Sequence, residues 1–301
     1  RPLAGVLGKY GEHAEARLGS FDDHLPEIAR LARQNTVFLY VDPYNVRGLA
    51  FDRMKAVYDQ IRASSSSVEV LLNFNSATFM RWALAALQRH QDIPAETADE
   101  PLDQLEDASG VPVELATLDA IAGGDYWRDI ALDPTIDFPR KLDRLTSEYM
   151  DRMLPSFRYV ACCDIKAKYH HRVPKYHLIY ATRHEDGLEL INDAMCKARR
   201  KFLGAEFTAG MLFDMTPEAE VPDLSELRRS LLDMLPDGDR ESRKSLRLKG
   251  LLGHFGRYEV KDYNTAIGEL LKSGKFHSGT GKARINDDVL LARAPFSTTK
   301  P

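Results

Sequence analysis

Two apolar runs, VFLYV at 37–41 and VEVLLNF at 68–74, constrain the fold of this chain more than any other feature. Runs of this length, rich in β-branched and aromatic residues, read as strands. Their near-continuous apolar character reads as burial on both faces, as in a parallel sheet. Between them, FDRMKAVYDQIR (51–62) sets Phe51, Met54, Val57, Tyr58 and Ile61 on one helical stripe. After the second run, SATFMRWALAALQRH (76–90) continues as an Ala- and Leu-rich helix. Strand, helix, strand, helix predicts an α/β domain with a parallel sheet.

The first run stops on Asp42, Pro43, Tyr44 and Asn45. Ligands of open parallel sheets bind beyond the carboxyl ends of the strands, which is where these four residues fall. Proline fixes the backbone there and holds its neighbours in one direction. A carboxylate or amide at that place accepts a hydrogen bond from an amino group, and an aromatic ring stacks on a base. The bland alternative is that Asp42 caps the turn and Tyr44 packs; short motifs mislead often enough to give it equal weight. The second run ends comparably, on Asn73, Phe74 and Asn75, so two neighbouring strands would bring polar groups to one rim. Ala14 to Phe21 reads as a further short strand, ending on Ser20, Phe21 and Asp22, with a helix from about Pro26 to Arg33 and another from Leu3 to Tyr10. Phe21 and Asp22 would flank an adenine ring and take its amino group, or Asp22 would cap the next helix.

Further along, residues 91–125 hold ten acidic residues and no Lys or Arg, with Pro94, Pro101 and Pro112 between them. They read as a solvated acidic insertion, closed by GGDYWRDI (123–130) and followed by a helix at 141–154. RYVACCDIK (158–166) and YHLIYAT (176–182) form an antiparallel hairpin around a basic turn, and 187–203 is an amphipathic helix. The chain thins to Gly, Pro and Glu between about 204 and 222, a domain boundary. Helices at 224–235, 240–252 and 262–273, the last capped by Asp262, precede a strand, turn and strand at 274–293. Three helices plus a two-stranded wing is the winged-helix plan.

Charge is informative only locally. The whole chain carries −4, yet residues 240–284 carry eleven Lys or Arg against four carboxylates, a net of +7. Phosphate contacts dominate nucleic-acid affinity, so Arg243, Lys244, Arg247, Lys249, Arg257, Lys272, Lys275, Lys282 and Arg284 are the expected nucleic-acid contacts, with a protein partner as the alternative use of the module. Three cysteines, two of them adjacent (Cys162, Cys163), form no disulfide framework and point to a reducing cytoplasm. With His170, His171 and His177 they match no zinc spacing, so no metal site is assigned. No apolar run is long enough for a membrane span. No Walker loop, HExxH or ordered Ser-His-Asp set is present.

The stretch YVDPYNVRGLAFDRM, followed by VEVLLNFN, FMRWA, GGDYWRDI and YHLIYATRHEDGLELINDAMCKA, resembles the bacterial three-Cys-motif partner protein family. The resemblance covers roughly residues 14–200. It implies a class I methyltransferase fold, Rossmann-like with a mostly parallel sheet, bearing a DP-aromatic-G turn after the fourth strand; Asn45 replaces that glycine here. It makes Ala14–Phe21 strand three, VFLYVD strand four, VEVLLNF strand five, and the 158–182 hairpin the closing pair with an antiparallel last strand. It also implies S-adenosylmethionine as cofactor, transfer to nucleic acid, Asp42, Pro43 and Tyr44 positioning the acceptor amine, Ser20, Phe21 and Asp22 at the adenine, and Asn73 and Asn75 lining the acceptor pocket. The glycine-rich turn that would hold the cofactor is not in this sequence, and strands one and two have no room before residue 14. A preceding segment, the favoured reading, or a partner would complete the sheet; otherwise the protein keeps the fold without the cofactor, as a nucleic-acid-binding or partner-dependent subunit.

Overall fold

The computed structural model describes residues 8–43, 50–62, 67–89, 113–166, 168, 171–208, 222–279 and 286–294. After a 3-10 segment at Gly8–His13, the chain forms α1 (Phe21–Leu31), β1 (Val37–Val41), α2 (Phe51–Arg62), β2 (Val68–Phe74) and α3 (Ser76–Arg89). α4 (Leu115–Ala122), α5 (Trp127–Leu132), α6 (Phe138–Met153), β3 (Tyr159–Ile165), β4 (Tyr176–Thr182) and α7 (Glu185–Thr208) follow. The C-terminal part consists of α8 (Ser225–Asp233), β5 (Arg240–Ser242), α9 (Arg243–Gly253), α10 (Val260–Lys272), β6 (Phe276–Ser278) and β7 (Leu290–Arg293). Among the described residues no helix is long and apolar enough to cross a membrane.

The larger sheet has the order β1-β2-β4-β3. β1 and β2 are parallel, and β4 is antiparallel to both of its neighbours, so β1, β2 and β3 share one direction. The sheet is therefore mixed. One face packs Leu39, Val41, Val70, Leu72, Phe74, Val160, Ile179 and Ala181 against helices α1 to α6. An aromatic group anchors that layer: Phe74 stacks on Tyr149 at 4.7 Å, and Phe51 meets Tyr149 edge-on at 5.2 Å. The other face joins Leu71, Tyr159, Ala161 and Tyr180 to Leu227, Leu246, Tyr263 and Ile267 of the C-terminal helices in one apolar cluster. Tyr180 and Phe255 lie parallel with ring centres 6.1 Å apart. In the C-terminal part, β7 sits between β5 and β6. α9 and α10 come close at Gly250, where an added Cβ would lie 2.6 Å from Tyr263 Cε1.

Several expectations need correction. Residues 14–21 form no strand. Ser20 Oγ accepts from Asp23 N at 3.3 Å and Ser20 N donates to Asp23 Oδ2 at 2.9 Å, a capping box that starts α1 at Phe21. β1 is buried on one face only: Phe38 and Tyr40 are 51% and 53% exposed. It is an outer strand of the described sheet, and the helices over its inner face have no counterpart over the other. The end of the acidic stretch is core rather than solvated loop, because Leu118, Ile121 and Ala122 of α4 are buried. Its Asp119 accepts from Trp127 Nε1 at 3.0 Å and from Arg128 Nη2 at 2.5 Å. Residues 90–112 and most of the Leu3–Tyr10 stretch lie outside the described residues. α10 begins earlier than expected, on Glu259, with Asp262 accepting from Glu259 N at 2.8 Å from inside the first turn.

Candidate functional site

Register builds the rim at the end of β1 and β2. Val41 pairs with Leu72, so the next residues, Asp42 and Asn73, fall side by side on the face that carries Tyr40 and Leu71. Asn73 Nδ2 donates to Asp42 Oδ1 at 2.7 Å, and Tyr40 Oη donates to Asp42 Oδ2 at 3.1 Å. Burial, and then the bond to Asp42, raise the Tyr40 phenol above its usual range, so it stays a donor. Each carboxylate oxygen keeps a free lone pair. Asn73 Oδ1 is buried with no partner, and the amide cannot be turned over without setting oxygen against carboxylate. Asp42 itself is exposed. The rim thus presents a solvent-facing carboxylate beside an unused amide oxygen. Such a pair suits an amine or amide donor and repels phosphate.

The remaining rim residues separate. Pro43 is half-buried, and Tyr44 and Asn45 lie outside the described residues. Asn75 is a helix cap rather than a pocket wall: its Oδ1 accepts from Thr78 N at 3.1 Å at the start of α3. Ser20 is spent in the α1 capping box, and Phe21 packs against the core; the Asp22 side chain lies outside the described residues. These residues do not fit an adenine site, because the polar atoms meant for the ring already cap a helix that stands where a strand was expected. Among the described residues no glycine-rich turn follows a strand. S-adenosylmethionine therefore has no seat built from the described residues assigned to it.

The basic segment is less available than its composition implies. Arg247 is 4% exposed and bonds Glu189 on α7 at 2.7 Å and Asp287 at 2.8 Å. Lys244 pairs with Glu185, and Arg243 reaches Asn264 Oδ1 at 2.7 Å and Asp287 at 3.7 Å. Lys249 pairs with Glu241 at 2.7 Å, and Arg257 with Glu226 at 3.0 Å. Three of these carboxylates, Glu185, Glu189 and Glu226, come from α7 and α8, and Asp287 from the turn before β7. None lies in the counted window, which is why the excess looked free. Lys272 and Lys275 are exposed, with no ion pair among the described residues; Lys282 and Arg284 lie outside them.

Two polar constructions have no local sequence signal. His177 on β4, 3% exposed, faces Ser76 Oγ at 2.7 Å and Thr146 Oγ1 at 3.2 Å through Nδ1, and Asp143 Oδ1 at 3.5 Å through Nε2. Thr146 gives its proton to Leu142 O, so the Ser76 hydroxyl donates to Nδ1 and Nε2–H faces Asp143. The set has the members of a hydrolytic triad, but Ser76 is fully buried, so it pins α3 and α6 to the sheet instead of meeting a substrate. Asn192, also fully buried on α7, donates to Tyr258 O at 2.8 Å and accepts from Gly256 N at 3.0 Å. It clamps the turn between α9 and α10 onto α7. No cluster of metal-ligating side chains occurs among the described residues. No family model matches the chain, and neither a curated protein nor a solved structure matches it.

Proposed function

We propose that this chain is a methyltransferase-like protein that works as a partner-dependent subunit, with the Asp42–Asn73 rim as the acceptor-holding wall of a site completed by a partner. The carrying observation is the sheet. Its last strand, β4, lies antiparallel between β2 and β3, as the resemblance implies, while β1 has no neighbour on its outer side among the described residues. A partner's strand laid along β1 would extend the sheet by main-chain hydrogen bonds. It would bring a new wall to the rim where Asp42 waits. The cofactor is not assigned to this chain alone. Calorimetry with S-adenosylmethionine is expected to give no heat up to millimolar ligand, and micromolar binding would replace this reading with a self-sufficient enzyme.

The role of Asp42 has its own test. Its carboxylate is exposed and supports only two surface hydrogen bonds, so Asp42→Ala is expected to cost under about 1 kcal/mol of stability. A urea-midpoint loss above about 2 kcal/mol would make Asp42 a structural tie between strand ends.

The order α8, β5, α9, α10, β6, β7, with β7 central, supports the winged-helix reading of the C-terminal part. Its charge supports only weak nucleic-acid binding. Two unpaired lysines, Lys272 and Lys275, give a slope of log K against log salt of about −2. A slope steeper than about −5 would mean that the ion pairs open onto phosphate, and nucleic acid would become the primary partner.

A further inference from the structure

At the opposite edge of the sheet from Asp42, two adjoining hollows wrap around β3. One has a volume of about 220 Å³ and a mainly apolar lining from Cys163, Ile165, Met195, Ala198 and Phe202. The other, about 360 Å³, is polar and includes Asp143, His177, His254 and Arg257. Cys163, Asp164, Lys166 and Arg199 line both, so they stand at the junction. Lys166 is engaged by Asp164 at 3.5 Å. Arg199 is exposed and has no ion pair among the described residues. His254, whose Nε2 meets Ser230 Oγ at 2.8 Å, leaves Nδ1 buried without a partner.

Size and chemistry narrow the occupant. An apolar cavity of about 150 Å³ holds benzene, so this lobe has room for a longer apolar body. Its walls are Met, Ile and a half-exposed Phe, which conform to an alkyl chain. Burial pushes the thiols of Cys162 and Cys163 up to about 12, so they remain neutral and serve as apolar surface rather than as nucleophiles. The free guanidinium at the lobe's mouth matches a carboxylate or phosphate in a forked geometry. We propose that this lobe binds a small aliphatic anion, with its alkyl chain between Met195, Ile165 and Phe202 and its carboxylate or phosphate on Arg199. Nothing in the Asp42 rim is required for it.

The test follows the methyl signal of Met195 by NMR in methionine-labelled protein, assigned with Met195→Leu, during titration with octanoate, octyl phosphate and 1-octanol. At least one of the two anions is expected to shift Met195 saturably, and which one does so identifies the head group. Octanol, with the same chain, should bind at least tenfold more weakly. Arg199→Ala should weaken the anion about tenfold or more, and Ala198→Trp should block the lobe; both positions are exposed on α7, so both variants should fold. The proposal is overturned by a silent Met195 with either anion, by octanol binding as well as the anions, or by unchanged affinity in Arg199→Ala or Ala198→Trp.

Discussion

Replacing Asn192 with leucine is expected to cost about 2–5 kcal/mol, one of the two largest losses for any single change considered. The side chain is fully enclosed, and it satisfies two main-chain groups at once, the N–H of Gly256 and the C=O of Tyr258. Leucine fills nearly the same volume but leaves both unpaired. Each such buried group costs about 1–3 kcal/mol. Gly256 compounds the effect, because its φ of +74° places the turn in the left-handed region and its backbone passes 3.4 Å from Met195 Cβ, measured from the Cβ position that glycine lacks. The turn cannot shift to reach water without leaving α7. Urea unfolding and hydrogen exchange at Gly256 both report on this, and a stability loss under about 1 kcal/mol would mean that the clamp carries little.

The second large loss is expected at Arg247. Arg247→Met removes the cation shared by Glu189 and Asp287 while keeping the side chain's apolar bulk. Breaking a buried pair by deleting one partner costs about 3–5 kcal/mol, because the other charge is stranded. Here the carboxylates keep 23% and 43% of their exposure, so about 2–3 kcal/mol is the expected figure. The pH dependence has a definite sign. The hydrogen bond from Arg247 holds the Asp287 carboxyl below its usual range. A depressed folded-state pKa contributes stability that is present above the ordinary carboxylate value and is lost as the pH falls through the lowered one. The gap between wild type and Arg247→Met should therefore narrow from pH 7 to pH 3. A gap that stays constant would show that lost packing, not the ion pair, sets the cost.

What was legible in the sequence divides by distance along the chain. VFLYV and VEVLLNF announce strands from their own composition. Because parallel neighbours end together, the meeting of Asp42 and Asn73 followed from two short readings. The 14–21 stretch misled because its apolar spacing resembles a strand, whereas Leu18 is fully exposed and the four residues Ser20 to Asp23 settle the matter as a capping box. The both-face burial expected of β1 failed because it depended on what lies beside the strand. The ion pairs were hidden for a related reason: Lys244 and Arg247 meet carboxylates 59 and 58 residues away, beyond any window over which charge is counted. Asn192 and the His177 set, with partners 64 to 101 residues distant, carry no local signature at all.

The open side of β1 is the premise on which the subunit reading rests, and residue-resolved hydrogen exchange addresses it directly. Val37 N donates to Ser67 O, so the alternation of a strand turns Leu39 and Val41 toward β2 and the amides of Phe38 and Tyr40 outward. In the chain alone, Phe38 and Tyr40 should exchange at close to unprotected rates while Leu39 and Val41 are slowed. If Phe38 and Tyr40 are protected as strongly as Leu39 and Val41, the edge is already closed within the protein and no partner strand is needed there.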